Sequence, residues 1–231
     1  MSHPEFDKFA AEYRELHREN ITVSGEKPEY FAAYKMRDFA TVVDTLGGDK
    51  SGTFLDYGSG IGASIAPFQQ AIPGAHLICA DVSEESLKLS RALNGDRPTY
   101  LPLNDDRINL DSASLDGAFA CCVFHHIPAD QHVKVLRELR RVLKPGAPLM
   151  IYEHNPYNPL TVRAVNTCPL DENAVLIVGS EMRGRCAEAG FGHIEVDYRV
   201  FFPSALKALR FAENWLRWLP IGAQYCLHGR A

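Results

Sequence analysis

The chain has 231 residues, 46% hydrophobic and 23% charged, with a net charge of −5. These values fit one globular domain with a full core, and the acidic balance excludes an ordinary nucleic-acid surface, which would be basic. No apolar run reaches the roughly 18 residues of a membrane span, and the first residues carry no secretory leader. The compartment expected is therefore the cytoplasm, with all six cysteines reduced.

Residues 5–20 place Phe6, Phe9, Ala10, Tyr13 and Leu16 at helical spacing. Residues 29–46 form a second helix, closed by Gly47 and Gly48. Then comes the most telling stretch. An apolar strand over 53–56 ends in Asp56 and enters Gly58-Ser59-Gly60-Ile61-Gly62, with a helix from about Ala63. A second apolar strand, 77–80, ends in Asp81, and Ser83 is placed to cap the following helix with Ser86 at its third position. This is a βαβ unit. Its glycines let backbone approach a ligand, its helix N-terminus suits an anion, and its strand-ending acid suits both ribose hydroxyls.

Two ligands fit that loop, a dinucleotide pyrophosphate or a methionyl carboxylate. Asp56, two residues before the first glycine, repels a pyrophosphate and attracts an ammonium. No Tyr-x-x-x-Lys pair follows, as a short-chain dehydrogenase would need. An NAD(P)-dependent oxidoreductase is thus the runner-up.

Further on, strand 3 covers 99–103 and an acidic turn carries Asp105 and Asp106. Strand 4 and its exit run through 116–128 and include Cys122, His125 and His126. A helix over 129–143 ends at Lys144-Pro145-Gly146, and strand 5 follows over 148–153. Residues 155–176 read as a long irregular stretch, 180–189 as a helix, 193–202 as strand 6, 203–218 as an amphipathic helix and 224–229 as strand 7. The 203–218 segment has a basic and an aromatic face. It reads either as a core helix or as a peripheral membrane contact. His125 and His126 are adjacent, with no H-E-x-x-H or cysteine–histidine quartet nearby, so no metal site is expected.

The order acid-x-Gly-x-Gly-x-Gly with a later strand-ending Asp resembles motif I of class I S-adenosylmethionine-dependent methyltransferases. The stretch Asp116–Pro128 resembles that family's F-D-x-V-x-x-x-x-x-L-H-H pattern. The string from Arg141 to His154, R-x-L-K-P-G-x-x-L-x-I-x-E-H, is a further signature.

The resemblance implies an α/β, Rossmann-like fold: a seven-stranded, mostly parallel sheet with an antiparallel last strand and an N-terminal helical cap. It implies one domain, with the cap at 1–48, the cofactor core at 52–155 and acceptor-side elements at 156–231. The implied cofactor is S-adenosyl-L-methionine, leaving as S-adenosyl-L-homocysteine. Its pocket would draw on Asp56, Gly58, Ser59, Gly60, Gly62, Asp81, Val82 and Cys122. Asp105 would receive the adenine amino group, with Asp106 its near alternative, and Tyr13 would reach in from the cap, where Tyr30, Tyr34 and Lys35 are further candidates. His154 is the favoured general base, followed by His126 and His125. A histidine pair at the latter positions also shapes the loop in family members. Glu153 is a further base candidate or a partner that orients His154. The expected acceptor is an oxygen or nitrogen of a small molecule such as a sugar or natural-product intermediate. A domain that binds the cofactor without catalysis is the non-enzyme alternative.

Overall fold

The computed structural model describes residues 25–104 and 107–231. The helix expected over 5–20 with Tyr13, and the acids Asp105 and Asp106, lie outside them.

Apolar runs flanked by turn residues become the strands β1 Thr53–Tyr57, β2 His76–Asp81, β3 Thr99–Pro102, β4 Gly117–Cys121 and β5 Pro148–His154. They are followed by β6 Gly192–Arg199 and β7 Gln224–Arg230. The sheet order is β3-β2-β1-β4-β5-β7-β6. Strands β1 to β5 pair in parallel, and β7 runs antiparallel to both β5 and β6. The fold class read from the sequence is therefore the one observed. Strands β1, β2, β4 and β5 are covered on both faces, which is why they read as continuous apolar runs. Strand order reverses between β1 and β4, and the crevice at such a switch point, beyond the carboxyl ends, is where α/β sheets take ligands.

Helices α1 Pro28–Thr45, α2 Ile65–Ala71, α3 Glu84–Asn94, α4 His132–Val142, α5 Pro159–Thr167, α6 Gly179–Glu188 and α7 Glu213–Leu216 surround the sheet. Two apolar cores result, one on each face. Helix α1 buries Met36, Phe39, Val42 and Val43, and the Phe39 ring sits 4.9 Å from Phe119 and 5.7 Å from Phe54. Its other anchor is polar. Asp38 accepts from the Tyr152 hydroxyl at 2.5 Å and from Arg199 Nε at 2.7 Å. These contacts hold the preceding turn of α1, with Lys35, over the carboxyl end of β5. Ser83 caps α3 as expected, its hydroxyl accepting from the Ser86 N–H at 3.1 Å.

Three expectations need correction. Residues 155–176 are not irregular throughout. The Asn158 side chain accepts from the Leu160 and Thr161 N–H groups and starts α5, and a 3₁₀ turn follows at Pro169–Asp171. Strand 6 stops at Arg199, because Val200 takes a positive φ of 62° that ends the extended run. Residues 203–218 are not one helix. Ser204–Ala212 is 3₁₀, interrupted by non-helical Leu206, and only Glu213–Leu216 is α-helical. Three residues per turn do not align an α-helical apolar stripe. The segment accordingly leaves Trp215 at 70% and Trp218 at 74% exposure instead of packing them as a core helix would. Among the described residues no helix is long and apolar enough to cross a membrane.

Candidate active site

The site gathers at the carboxyl ends of β1, β2, β4 and β5. After β1 the loop is pinned to β2, with the Gly58 and Ser59 N–H groups both donating to the Ala80 carbonyl at 2.8 and 3.0 Å. Its three glycines all have positive φ, 75°, 51° and 79° at Gly58, Gly60 and Gly62. Their surroundings differ. A Cβ on Gly58 would lie 2.5 Å from Val123, and one on Gly62 would lie 2.2 Å from the Ser90 hydroxyl. Both therefore serve close packing. A Cβ on Gly60 would meet nothing within 4 Å. Space against bare backbone is what a loop offers to a ligand.

Asp81 is buried and helps set that loop. One carboxylate oxygen accepts from the Gly60 N–H at 2.7 Å and the other from the Ser83 N–H at 2.9 Å. Asp56 is 2% exposed and accepts a hydrogen bond from the Ser64 hydroxyl. Burial pushes its carboxyl up to about 7, outweighing the Ser64 hydrogen bond. The Ser59 hydroxyl is buried with no hydrogen-bond partner in the protein. An orphaned hydroxyl beside an open glycine is an unmet need for a ligand.

Beyond β4 the chemistry changes. Cys122 has φ of 58°, and its Sγ accepts from Lys35 Nζ at 3.1 Å and from Gln224 Nε2 at 3.5 Å. Burial alone would push its thiol up. The Lys35 ammonium and His154 outweigh burial and bring it down to about 6. Burial likewise opposes the Lys35 charge, but the facing cysteines hold its proton above the ordinary lysine range. Burial raises the neighbouring thiols, Cys121 and Cys79 among them, and leaves Cys122 as the distinct thiolate. Alkylation by iodoacetamide, followed on tryptic peptides, is expected to modify Cys122 first, with a rate profile whose midpoint lies at about pH 6. In Lys35→Met the midpoint should move up toward the ordinary thiol value of about 8.5. An unmoved midpoint would show that Lys35 does not stabilise the thiolate.

Glu153, near the end of β5, organises the turn after β4. Its Oε1 accepts from the Val123 N–H at 2.9 Å and the Phe124 N–H at 2.7 Å, and its Oε2 lies 2.5 Å from His125 Nδ1. Burial opposes the Glu153 charge, but His125 brings its carboxyl down to about 2. Burial also opposes a charged His125, yet Glu153 and Asp171 raise it to about 10. Asp171 stands 3.5 Å from His125 Nε2 and 3.4 Å from His126 Nε2. Burial disfavours its charge, and the two imidazoles hold the carboxyl well below the usual range. The His154 ring is 5.2 Å from that of His125.

Asp56, Gly58, Ser59, Gly60, Gly62 and Asp81 thus stand at or just beyond the carboxyl ends of β1 and β2, with Val82 following Asp81, while Cys122, His125, His126 and His154 stand at or just beyond those of β4 and β5. Glu153 orients His125 rather than His154, because the turn at Phe124–His126 folds that imidazole back over β5. With carboxylates at both ring nitrogens, His125 is an oriented, proton-holding group and no free base. Asp171 and Gln224 were not legible in the sequence. Asp171 arrives from a distant 3₁₀ turn and Gln224 from β7, and neither carries a local motif.

The strand order, the switch-point crevice and the glycine loop define a Rossmann-like nucleotide-cofactor fold of the methyltransferase type. Residues 55–151 match the family model described as a methyltransferase domain. That segment is a methyltransferase domain, and the fold around it is the one found in solved S-adenosylmethionine-dependent methyltransferases. The match favours the methyltransferase reading over the oxidoreductase one.

Human thiol S-methyltransferase TMT1B is 30% identical over 128 residues, covering 52% of this chain and 50% of that protein. The chain spans about half the length of the curated relatives it matches. A Thermotoga maritima S-adenosylmethionine-dependent methyltransferase structure matches with a TM-score of 0.68 at 19% identity, covering 100% of this chain and 99% of its own. Haemonchus contortus phosphoethanolamine N-methyltransferase 2, solved with S-adenosyl-L-methionine, matches with a TM-score of 0.58 at 18% identity, over 82% of this chain and 51% of its own.

Proposed function

We propose that this protein transfers the methyl group of S-adenosylmethionine to a nucleophilic heteroatom of a small molecule. The observation that carries the reading is Gly60, bare backbone facing open space, with its N–H held by Asp81 and the orphaned Ser59 hydroxyl on the preceding residue. In this reading Gly60 admits the methionyl end and Asp56 faces its ammonium. Asp81 takes the ribose hydroxyls and Ser59 gains its missing partner. Val82, Asp105 with Asp106 beside it, and Tyr13 complete the pocket as the family resemblance implies. The bound cofactor supplies a methyl group on a positively charged sulfur. The protein's own task is then to hold the nucleophile in line, keep water out and manage the nucleophile's proton.

Lys35 and His154 bear on that proton. Together they bring a protein thiol down to about 6, and the same field lowers the pKa of an acceptor held beside them. His154 is the base in this reading, with His126 behind it and His125 as an orienting group. Acidic X–H acceptors are favoured accordingly. A thiol is the first class to test, in line with the name of the human relative, and hydroxyls or amines of sugars and natural-product intermediates come next. The reading places the chain in a reducing cytoplasm, where its cysteines persist as thiols.

Asp56 gives a test in solution that needs no acceptor. Its carboxyl is raised to about 7 in the free protein. A bound ammonium favours the carboxylate and lowers that value, so binding near pH 6 should expel a proton. Affinity should tighten as pH rises and level off above about 7. Calorimetry of S-adenosylhomocysteine in buffers of different ionisation enthalpy measures the proton directly. Binding with no proton release and no pH dependence would remove Asp56 from the ammonium site.

A further inference from the structure

We propose that His125, His126 and Asp171 form a binding site for one divalent transition-metal ion. The Nε2 atoms of the two histidines lie 3.5 and 3.4 Å from one oxygen of Asp171. All three donor atoms lie within 4.8 Å of one another. Nitrogen and oxygen ligands at 2.0–2.1 Å from a tetrahedral ion stand about 3.3 Å apart. Both histidine-to-carboxylate separations already match that spacing.

The surroundings are those of a supported ligand set. Histidines that bind metals donate their other ring N–H to a carboxylate or carbonyl, which fixes the tautomer. His125 has that partner in Glu153 at 2.5 Å, and Glu153 is itself held by the Val123 and Phe124 amides; the ion would replace the proton that the metal-free protein holds at His125 Nε2 facing Asp171, and that proton leaves to solvent. The third ligand is anchored too. The Asp171 N–H donates to the Cys168 carbonyl at 3.0 Å, and the Val175 N–H donates to the His125 carbonyl at 2.8 Å, tying the 169–175 segment to the histidine turn. Two imidazoles and one carboxylate suit zinc, iron(II), nickel or copper better than magnesium or calcium. Three protein ligands leave a fourth position for water or for an acceptor heteroatom. The His154 ring, 5.2 Å from that of His125, puts the cluster on the side where the acceptor is expected. Service of the ion to methyl transfer rests on the proposed function, whereas metal binding does not. Local spacing alone showed no metal motif because the third donor comes from another segment.

The test uses the full chain, stripped with a chelator and then incubated with one equivalent of zinc chloride. After desalting, elemental analysis should find one zinc per chain, and the thermal midpoint should rise with free zinc. Asp171→Asn and His126→Ala should each weaken zinc binding at least about tenfold. Both variants should still bind S-adenosylhomocysteine, which shows that they fold. Cobalt(II) in place of zinc should give a visible ligand-field band without the charge-transfer band of a cysteine ligand. Failure of the stripped wild type to retain zinc would overturn the proposal and leave the cluster as a histidine–carboxylate ion pair. Undiminished binding in both variants, or a thiolate charge-transfer band, would place the ion elsewhere and overturn it as well.

Discussion

Replacing His154 by alanine is expected to lower kcat by about 10²–10⁴-fold, the usual contribution of a positioned acid–base group. It is the proposed base among the three histidines. His125 has both ring nitrogens against carboxylates, and His126 faces Asp171. His154 ends β5 and acts on the Cys122 thiol, which also takes the Lys35 ammonium at 3.1 Å. Cofactor affinity should barely change, since the proposed contacts lie mainly on the β1 and β2 side. The defect should also depend on the acceptor. A nucleophile that arrives deprotonated needs no base, so the loss should shrink as acceptor acidity rises. Wild-type turnover in the variant with a weakly acidic acceptor would remove His154 from the proton path. Equal loss of turnover and cofactor binding would make it a part of the cofactor pocket.

Gly60→Val is expected to weaken S-adenosylhomocysteine binding by at least about 100-fold while the protein still folds. The added Cβ meets no protein atom within 4 Å, so the core is not disturbed. A valine at φ 51° costs on the order of 1–3 kcal/mol in local strain, and its branches would fill the volume assigned to the ligand. Gly58→Val makes the informative contrast. Its Cβ would strike Val123 at 2.5 Å, so that variant should lose stability as well as binding. Normal cofactor affinity in a folded Gly60→Val protein would show that the loop is not the methionyl site.

How far the sequence could be read followed from how local each signal is. The β1 loop and Asp81 were legible because a strand, a tight turn and a helix start must each leave their residue type in order. The parallel strands were legible because burial on both faces demands unbroken apolar runs. The 203–218 segment misled because its apolar residues fit α-helical spacing, while the chain takes 3₁₀ turns and breaks at Leu206. Asn158-Pro159 was a legible helix start inside the stretch read as irregular, with an Asx cap and a proline in the first turn. Asp171, Gln224 and the pairing of Glu153 with His125 were not legible. Each depends on which distant segment crosses the end of the sheet, and no spacing rule encodes that.

The most direct test of the account is transfer of labelled methyl from S-adenosylmethionine to a panel of small thiols, hydroxyls and amines, run with wild type and Gly60→Val. The account predicts label on a small acceptor, a thiol foremost, with matching release of S-adenosylhomocysteine and loss of both in the variant. Transfer that persists undiminished in Gly60→Val, or a wild type that binds the cofactor yet labels no acceptor in any of the three classes, would contradict it.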